Sequence, residues 1–272
     1  MPPSPKAETR HLVAKLGGSL AASPALRRWL AALRLYPGPV TIIPGGGPFA
    51  DAVRSAQEAL GFSDAAAHDM AIMAMEQYGR ALCDLEPGLF PAATPQEAAA
   101  AHAHDATAVW SPVAMTRADP QIPASWDMTS DSLAAWYAHE AGASALLLIK
   151  SVDFSPPPRG RRSSAAGARE GVAPRVSGLT PPQAASRSTP DRGASLTAPS
   201  SFETGPSGPP QDEGAVSDAA QSIVDPCFAH YARGLDVFIA GPAALREAGE
   251  SFARGAIPGA AFDFTREQSI AS

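Results

Sequence analysis

Short apolar runs alternate along this chain with longer stretches of helical period, and that alternation restricts the fold more than any other feature. His11 to Leu16 reads as a strand, and an Ala/Leu-rich helix follows from about Pro24 to Leu35. Pro39 to Ile43 reads as a second strand, with a helix opening near Pro48. Ser63 is placed to cap a long helix running toward Leu85. Thr94-Pro95-Gln96-Glu97 has capping-box spacing with Pro at the first helical position, so a further helix starts there. Ala106 to Trp110 and Ala145 to Ile149 read as buried strands flanking a helix from about Ser130 to Ala141. A short helix near Asp225, a strand from Leu235 to Ala240 and a helix after Pro242 close the order. Continuous apolar strands joined by helices make a parallel sheet covered on both faces. The expected fold class is α/β, a three-layer sandwich with a mainly parallel central sheet.

One stretch breaks the pattern. Residues 155–217 are dominated by Pro, Gly, Ser, Ala and Arg, with isolated large apolar residues at Val172, Val176, Leu179, Leu196 and Phe202. Such a composition cannot bury enough surface to offset the entropy of ordering it, so disorder is expected. Closing a longer loop adds entropy cost only logarithmically, so a folded domain tolerates the insertion. The expected organisation is a folded part over 1–154, the insertion over 155–217, and the remainder of the same domain over 218–272.

Bulk properties narrow the function. A net charge of −6 argues against a nucleic-acid binder held by phosphate neutralisation. The two cysteines, Cys83 and Cys227, have no metal-ligand spacing and fit a reducing compartment. No apolar run approaches the roughly 20 residues that cross a bilayer, and the N-terminus lacks the apolar segment of a secretory signal. The expectation is a cytoplasmic protein with a small-molecule substrate and no nucleic-acid or membrane partner.

In an open parallel sheet, ligands sit outside the carboxyl ends of the strands, and two glycine-rich turns fall there. Lys15-Leu16-Gly17-Gly18-Ser19 leaves the first strand, and Pro44-Gly45-Gly46-Gly47-Pro48 leaves the second and opens a helix. Without Cβ atoms such turns let backbone N–H groups close on an anion, and a helix N-terminus adds a favourable dipole. Neither is a Walker A loop or a dinucleotide fingerprint. Lysine usage points the same way. The chain has 21 Lys plus Arg, yet its lysines are Lys6, Lys15 and Lys150. A compact ammonium suits a transferring phosphoryl group. The competing reading is that Lys15 and Lys150 merely reach solvent from strand ends.

A third constellation is Trp126-Asp127-Met128-Thr129-Ser130-Asp131-Ser132. Ser130 or Asp131 suits capping of the following helix. Carboxylates here also suit orienting the lysines, holding Mg²⁺ or binding a cationic part of a substrate. His68 reads as a structural or solvated residue rather than a base. His102 and His104 have no third ligand nearby, so no metal site is expected.

These residues resemble the amino acid kinase superfamily. The resemblance rests on Lys15 to Ser19, Gly45 to Gly47, Thr129-Ser130-Asp131 and Lys150-Ser151-Val152-Asp153, followed by Val224-Asp225-Pro226 and the unit from Leu235 to Pro258. Met73 to Gly79 and Ser125 to Ala134 are most similar to the branch containing the methanofuran-biosynthesis kinase of an aminomethyl-furanmethanol phosphate. The resemblance implies an ATP- and Mg²⁺-dependent phosphotransferase, working as a homo-oligomer in the making of a one-carbon carrier cofactor. It implies catalytic roles for Lys15 and Asp131. It places ATP phosphates on Lys15, Gly17, Gly18, Ser19, Lys150 and Asp153, and the substrate on Gly45, Gly46, Gly47, Trp126, Asp127 and Ser130.

The chain departs from the family pattern in three places. Phe154 and the insertion follow Asp153 where a glycine and a short loop are usual, and Pro258-Gly259-Ala260 stands for the usual Gly-Thr. No lysine follows Lys150, which disfavours an acetylglutamate kinase. A UMP or aspartate kinase-like enzyme, or a non-catalytic nucleotide- or anion-binding protein on the same scaffold, remains the alternative.

Overall fold

The computed structural model describes residues 10–120, 122–153 and 224–262. The stretch expected to stay unstructured, 155–217, lies outside the described residues. In chain order the elements are β1 (Leu12–Leu16), a 3₁₀ turn (Gly18–Ala22), α1 (Ala25–Leu33), β2 (Val40–Pro44), α2 (Gly47–Leu60) and α3 (Asp64–Leu85). Then come β3 (Leu89–Ala92), α4 (Pro95–His102), β4 (Thr107–Trp110), α5 (Val113–Ala118), α6 (Ser130–Glu140) and β5 (Ala145–Ile149). After residue 224 follow α7 (Phe228–Tyr231), β6 (Asp236–Ala240), α8 (Leu245–Ala253) and β7 (Ala260–Phe262).

The strands form one seven-stranded sheet in the order β3-β4-β2-β1-β5-β6-β7. Every pairing is parallel except β6 with β7. The fold is α/β with a mostly parallel sheet flanked by helices. Successive strand side chains point to opposite faces, so the sheet has two cores. On one face Leu12, Ala14, Leu16, Leu147 and Ile149 pack with Trp29 and Leu30 of α1 and Phe252 of α8. On the other, Val13, Leu146, Leu148 and Ile239 pack under Leu133 and Tyr137 of α6 and Phe228 of α7. Fully buried side chains such as Leu30 and Phe252 each contribute about 1.5–3 kcal/mol of hydrophobic stabilisation.

Helix boundaries follow the capping chemistry of the sequence. Ser63 Oγ accepts the Ala66 amide at the head of α3. Thr94 Oγ1 accepts the Glu97 amide at the head of α4, while Glu97 reaches back to the Ala93 amide. For α6 the capping residue is Thr129, which accepts the Asp131 amide, rather than Ser130 or Asp131. A hydroxyl one residue before the first helical turn reaches an amide that Ser130 and Asp131, already inside that turn, cannot.

Candidate functional site

The order of strands reverses beside β1: the chain moves to β2 on one side and later returns to β5 on the other. Such a switch point leaves a crevice at the carboxyl ends of β1 and β5. The pleat decides what faces it. Val13 and Lys15 of β1 lie on the α6 side of the sheet, and Leu146 and Leu148 of β5 lie there too. Lys150 continues the β5 alternation by one further step.

Asp131, in the first turn of α6, receives both lysines. Lys15 Nζ stands 2.8 Å from Oδ1 and Lys150 Nζ 2.5 Å from Oδ2. All three side chains are largely buried, Lys15 and Asp131 almost completely. Burial alone would raise the Asp131 carboxyl, but the Lys15 and Lys150 ammonium groups outweigh it and hold the group below the usual carboxylate range. Lys150 is pulled below the ordinary lysine value by burial and by the Lys15 ammonium, with Asp131 opposing. Two ammonium groups share the Asp131 carboxylate at the crevice, with the Asp225 carboxylate also acting on Lys150, and their N–H donors suit an anion.

The helix turn that carries Asp131 is held in turn by a residue far along the chain. Asp225 accepts the amide and hydroxyl of Thr129 at 3.3 and 2.7 Å. It also accepts the Ser132 amide at 3.1 Å and the Ser132 hydroxyl, and its other bond comes from the Cys227 amide at 3.0 Å. A carboxylate on the first turn of α6 satisfies the free amides there and complements the helix dipole.

The two glycine turns meet backbone to backbone beside this clamp. A Cβ on Gly18 would stand 2.5 Å from the Gly47 nitrogen, and one on Gly45 would stand 2.6 Å from the Gly18 nitrogen. Gly46 has no room either, because its Cβ would meet the Ala50 methyl at 2.2 Å. Gly47 takes φ +55° and lies against the Tyr78 ring. Helix α2 opens there with no side-chain cap, so its first-turn amides, other than at Pro48, which has none, suit a ligand anion.

The other expected site residues divide. Ser19 is exposed, and its hydroxyl donates to Ser151 at 2.9 Å across the crevice. Asp153 accepts the Ala243 amide at 2.8 Å and packs on Gly241, so it pins the turn after β6. A cavity of about 70 Å³ opens between α2, α3 and the loop before α6; Gly46, Trp126 and Ser130 line it. Asp127 is not among the lining residues. It is exposed and bonds locally to Ser125, because in this loop the neighbouring Trp126 and Met128 take the inward positions.

The packing separates two histidine environments, and of the two settings expected for His68, structural or solvated, it gives the buried one. His68 is not solvated: it is only 6% exposed and lines the cavity. His102 meets His11 and Thr41 at the opposite ends of the strands, with His11 Nε2 2.9 Å from Thr41 Oγ1 and the two imidazoles edge to face. Burial and the neighbouring His102 push the His11 imidazole down to about 4, so it stays neutral there.

Mg²⁺ finds no protein-built cage at the clamp. Both Asp131 oxygens face ammonium groups, and among the described residues no group of three or more His, Cys, Asp or Glu side chains is placed to hold a metal. Coordination through the phosphate oxygens of a nucleotide is the arrangement compatible with these residues.

Residues 10–164 match the amino acid kinase family. The chain belongs to that family. No curated protein matches it in sequence. Among solved structures it is similar to the uridylate kinase of Archaeoglobus fulgidus, at 18% identity and a TM-score of 0.42, over 57% of this chain and 70% of that one. The UMP kinase of Ureaplasma parvum matches at 18% identity and a TM-score of 0.40, over 53% and 70% of the respective chains. That of Bacillus anthracis matches at 16% and 0.40, over 58% and 72%. Likeness of this degree bears on neither substrate nor site.

Proposed function

We propose that this amino acid kinase family member is an ATP-dependent phosphotransferase acting on a small metabolite. The observation that carries the reading is the convergence of Lys15 and Lys150 on Asp131 beside the paired glycine turns. In this reading the Lys15 ammonium lies against the phosphoryl group in flight and Lys150 against the nucleotide's remaining phosphates. The N-terminus of α2 at Gly46 and Gly47 takes the phosphoryl-receiving side. An oxygen of the substrate attacks the γ-phosphorus, and the bond from that phosphorus to the ADP oxygen breaks. The lysines neutralise charge on the phosphoryl oxygens, so catalysis is positioning and electrostatics. Asp131 is a positioning group that keeps both ammonium groups charged and aimed.

The finer reading is a kinase in the biosynthesis of a one-carbon carrier cofactor, working in the cytoplasm as a homo-oligomer. Its support is the resemblance of Met73 to Gly79 and Ser125 to Ala134, because Met75, Trp126, Met128 and Leu133 from these stretches wall the cavity. Purified protein incubated with ATP, Mg²⁺ and candidate acceptors, including an aminomethyl-furanmethanol phosphate, tests both levels. Phosphoryl transfer that Lys15→Met slows roughly 10²–10³-fold is expected. Absence of any Lys15-dependent turnover rejects the phosphotransferase reading, and turnover with other acceptors alone rejects only the finer one.

A further inference from the structure

His68 has a hydrogen-bonding arrangement that the clamp chemistry does not use. Its Nδ1 lies 2.9 Å from the carbonyl oxygen of Ser125. A carbonyl only accepts, so Nδ1 carries the proton and Nε2 of the neutral ring presents a lone pair. That Nε2 is buried and has no partner among the described residues. Burial also pushes the imidazole below its ordinary value, against the Ser125 bond and the adjacent Asp69, whose carboxylate is held by Arg117. An unpaired buried acceptor is destabilising unless a ligand completes it.

The cavity that His68 lines supplies the setting. Ala71, Ile72, Met75 and Leu133 make an apolar wall. Trp126 turns its indole N–H away to Gln57 Oε1 at 3.1 Å, and the Arg54 guanidinium covers the indole ring at 5.0 Å. Gly46 and Ser130 bring the cavity to the glycine turn and to the first turn of α6. A pocket with an apolar wall and one buried acceptor selects ligands by what they can donate.

We propose that the phosphoryl-receiving substrate carries a hydroxyl or amine N–H that donates to Nε2 of His68, making His68 a specificity-determining residue. The inference rests on the reading of this cavity as the substrate side of the phosphotransferase. A molecule of the same shape without the donor leaves Nε2 unpaired and is discriminated against. The role is binding, not proton abstraction, and no covalent step passes through the ring.

The test uses the full chain, ¹⁵N-labelled at histidine, with benzyl alcohol and benzyl methyl ether as probes that share a ring and differ in the donor. In the free protein the His68 resonances should report Nδ1–H and unprotonated Nε2. Benzyl alcohol should perturb Nε2 and bind about tenfold tighter than the ether, the worth of one hydrogen bond. His68→Asn keeps an N–H for the Ser125 carbonyl and removes Nε2, so it should bring the ratio to about one. An Nε2–H tautomer, equal binding of the two probes, no binding of either, or a preference that persists in His68→Asn overturns the inference. Calorimetry with ATP and Mg²⁺ on both proteins separates this from the parent reading. ATP affinity should be the same in both. Equal binding of the two probes by the wild-type chain, or a preference that persists in His68→Asn, with ATP binding intact sinks the His68 role alone, whereas a wild-type chain that binds no ATP sinks the phosphotransferase and leaves the donor test readable.

Discussion

Lys15 and Asp131 form a buried ion pair, 2.8 Å apart, between the end of β1 and the first turn of α6. Lys150 closes on the other carboxylate oxygen, so removing the carboxylate leaves two ammonium groups facing each other out of water. Asp131→Ala should therefore cost about 3–5 kcal/mol of stability, read as a lower urea midpoint. Lys15→Met leaves Asp131 its Lys150 partner and should cost less stability, while kcat falls roughly 10²–10³-fold. Stability losses in the reverse order would show that the carboxylate is not the hub.

The pH dependence follows from the directions of the two shifted groups. Lys150 is held below the ordinary lysine value by burial and the Lys15 ammonium, so its charge is lost earlier as pH rises. Phosphotransfer should show an alkaline limb below about pH 10.4, the value of a free lysine. Lys150→Arg, whose charge does not titrate in this range, should lower the rate yet abolish that limb. Asp131 is shifted down, despite its burial, by the two lysines. Its contribution to stability is present above the unfolded value of about 3.9 and is lost as pH falls through the lower folded value. The stability gap between wild type and Asp131→Ala should accordingly persist at pH 5 and narrow only in stronger acid.

Gly18→Ala and Gly45→Ala place a methyl 2.5 and 2.6 Å from backbone nitrogens of the opposing turn. Neither neighbour is a flexible side-chain end, so the turns must separate. A stability loss of about 3 kcal/mol, at the upper end for overpacking, should accompany loss of ATP binding by calorimetry. Gly61→Ala is the control. It has φ +71° and nothing within 4 Å, so it should cost only about 1–2 kcal/mol of backbone strain and leave ATP affinity unchanged.

Asp225→Ala removes the acceptor of bonds from Thr129, Ser132 and Cys227. The expected loss is about 2–3 kcal/mol, in the range for bonds to a charged acceptor on a helix cap. Because the same helix turn carries Asp131, kcat should fall along with the melting temperature. A variant that loses stability but keeps full kcat would separate the cap from the clamp.

Local chemistry made much of the fold legible. Ser63, Thr94 and Glu97 cap the helices that their spacing announced, since a cap needs only neighbours three residues away. β3, α5 and β7 carried no such signal. β3 has Pro91 and alternates imperfectly at a sheet edge, α5 is six residues, and β7 is three residues paired antiparallel to β6. Elements this short are fixed by the neighbours they pair with rather than by their own period.

The same division runs through the site. Sequence alone determined that two glycine turns and two lysines stand at strand ends, while the parallel register of β1 with β5 settled that Lys15 and Lys150 share a face. Only the tertiary structure decided that Asp131 lies between them, since helix α6 must first pack across β1 and β5. Only it brought in Asp225, 96 residues from Thr129. It also turned Asp127 outward and His68 inward. Alternation and capping are short-range rules, written in neighbouring residues. The meeting of a helix head, two strand ends and a distant carboxylate is a long-range fact, set by the packing of the sheet.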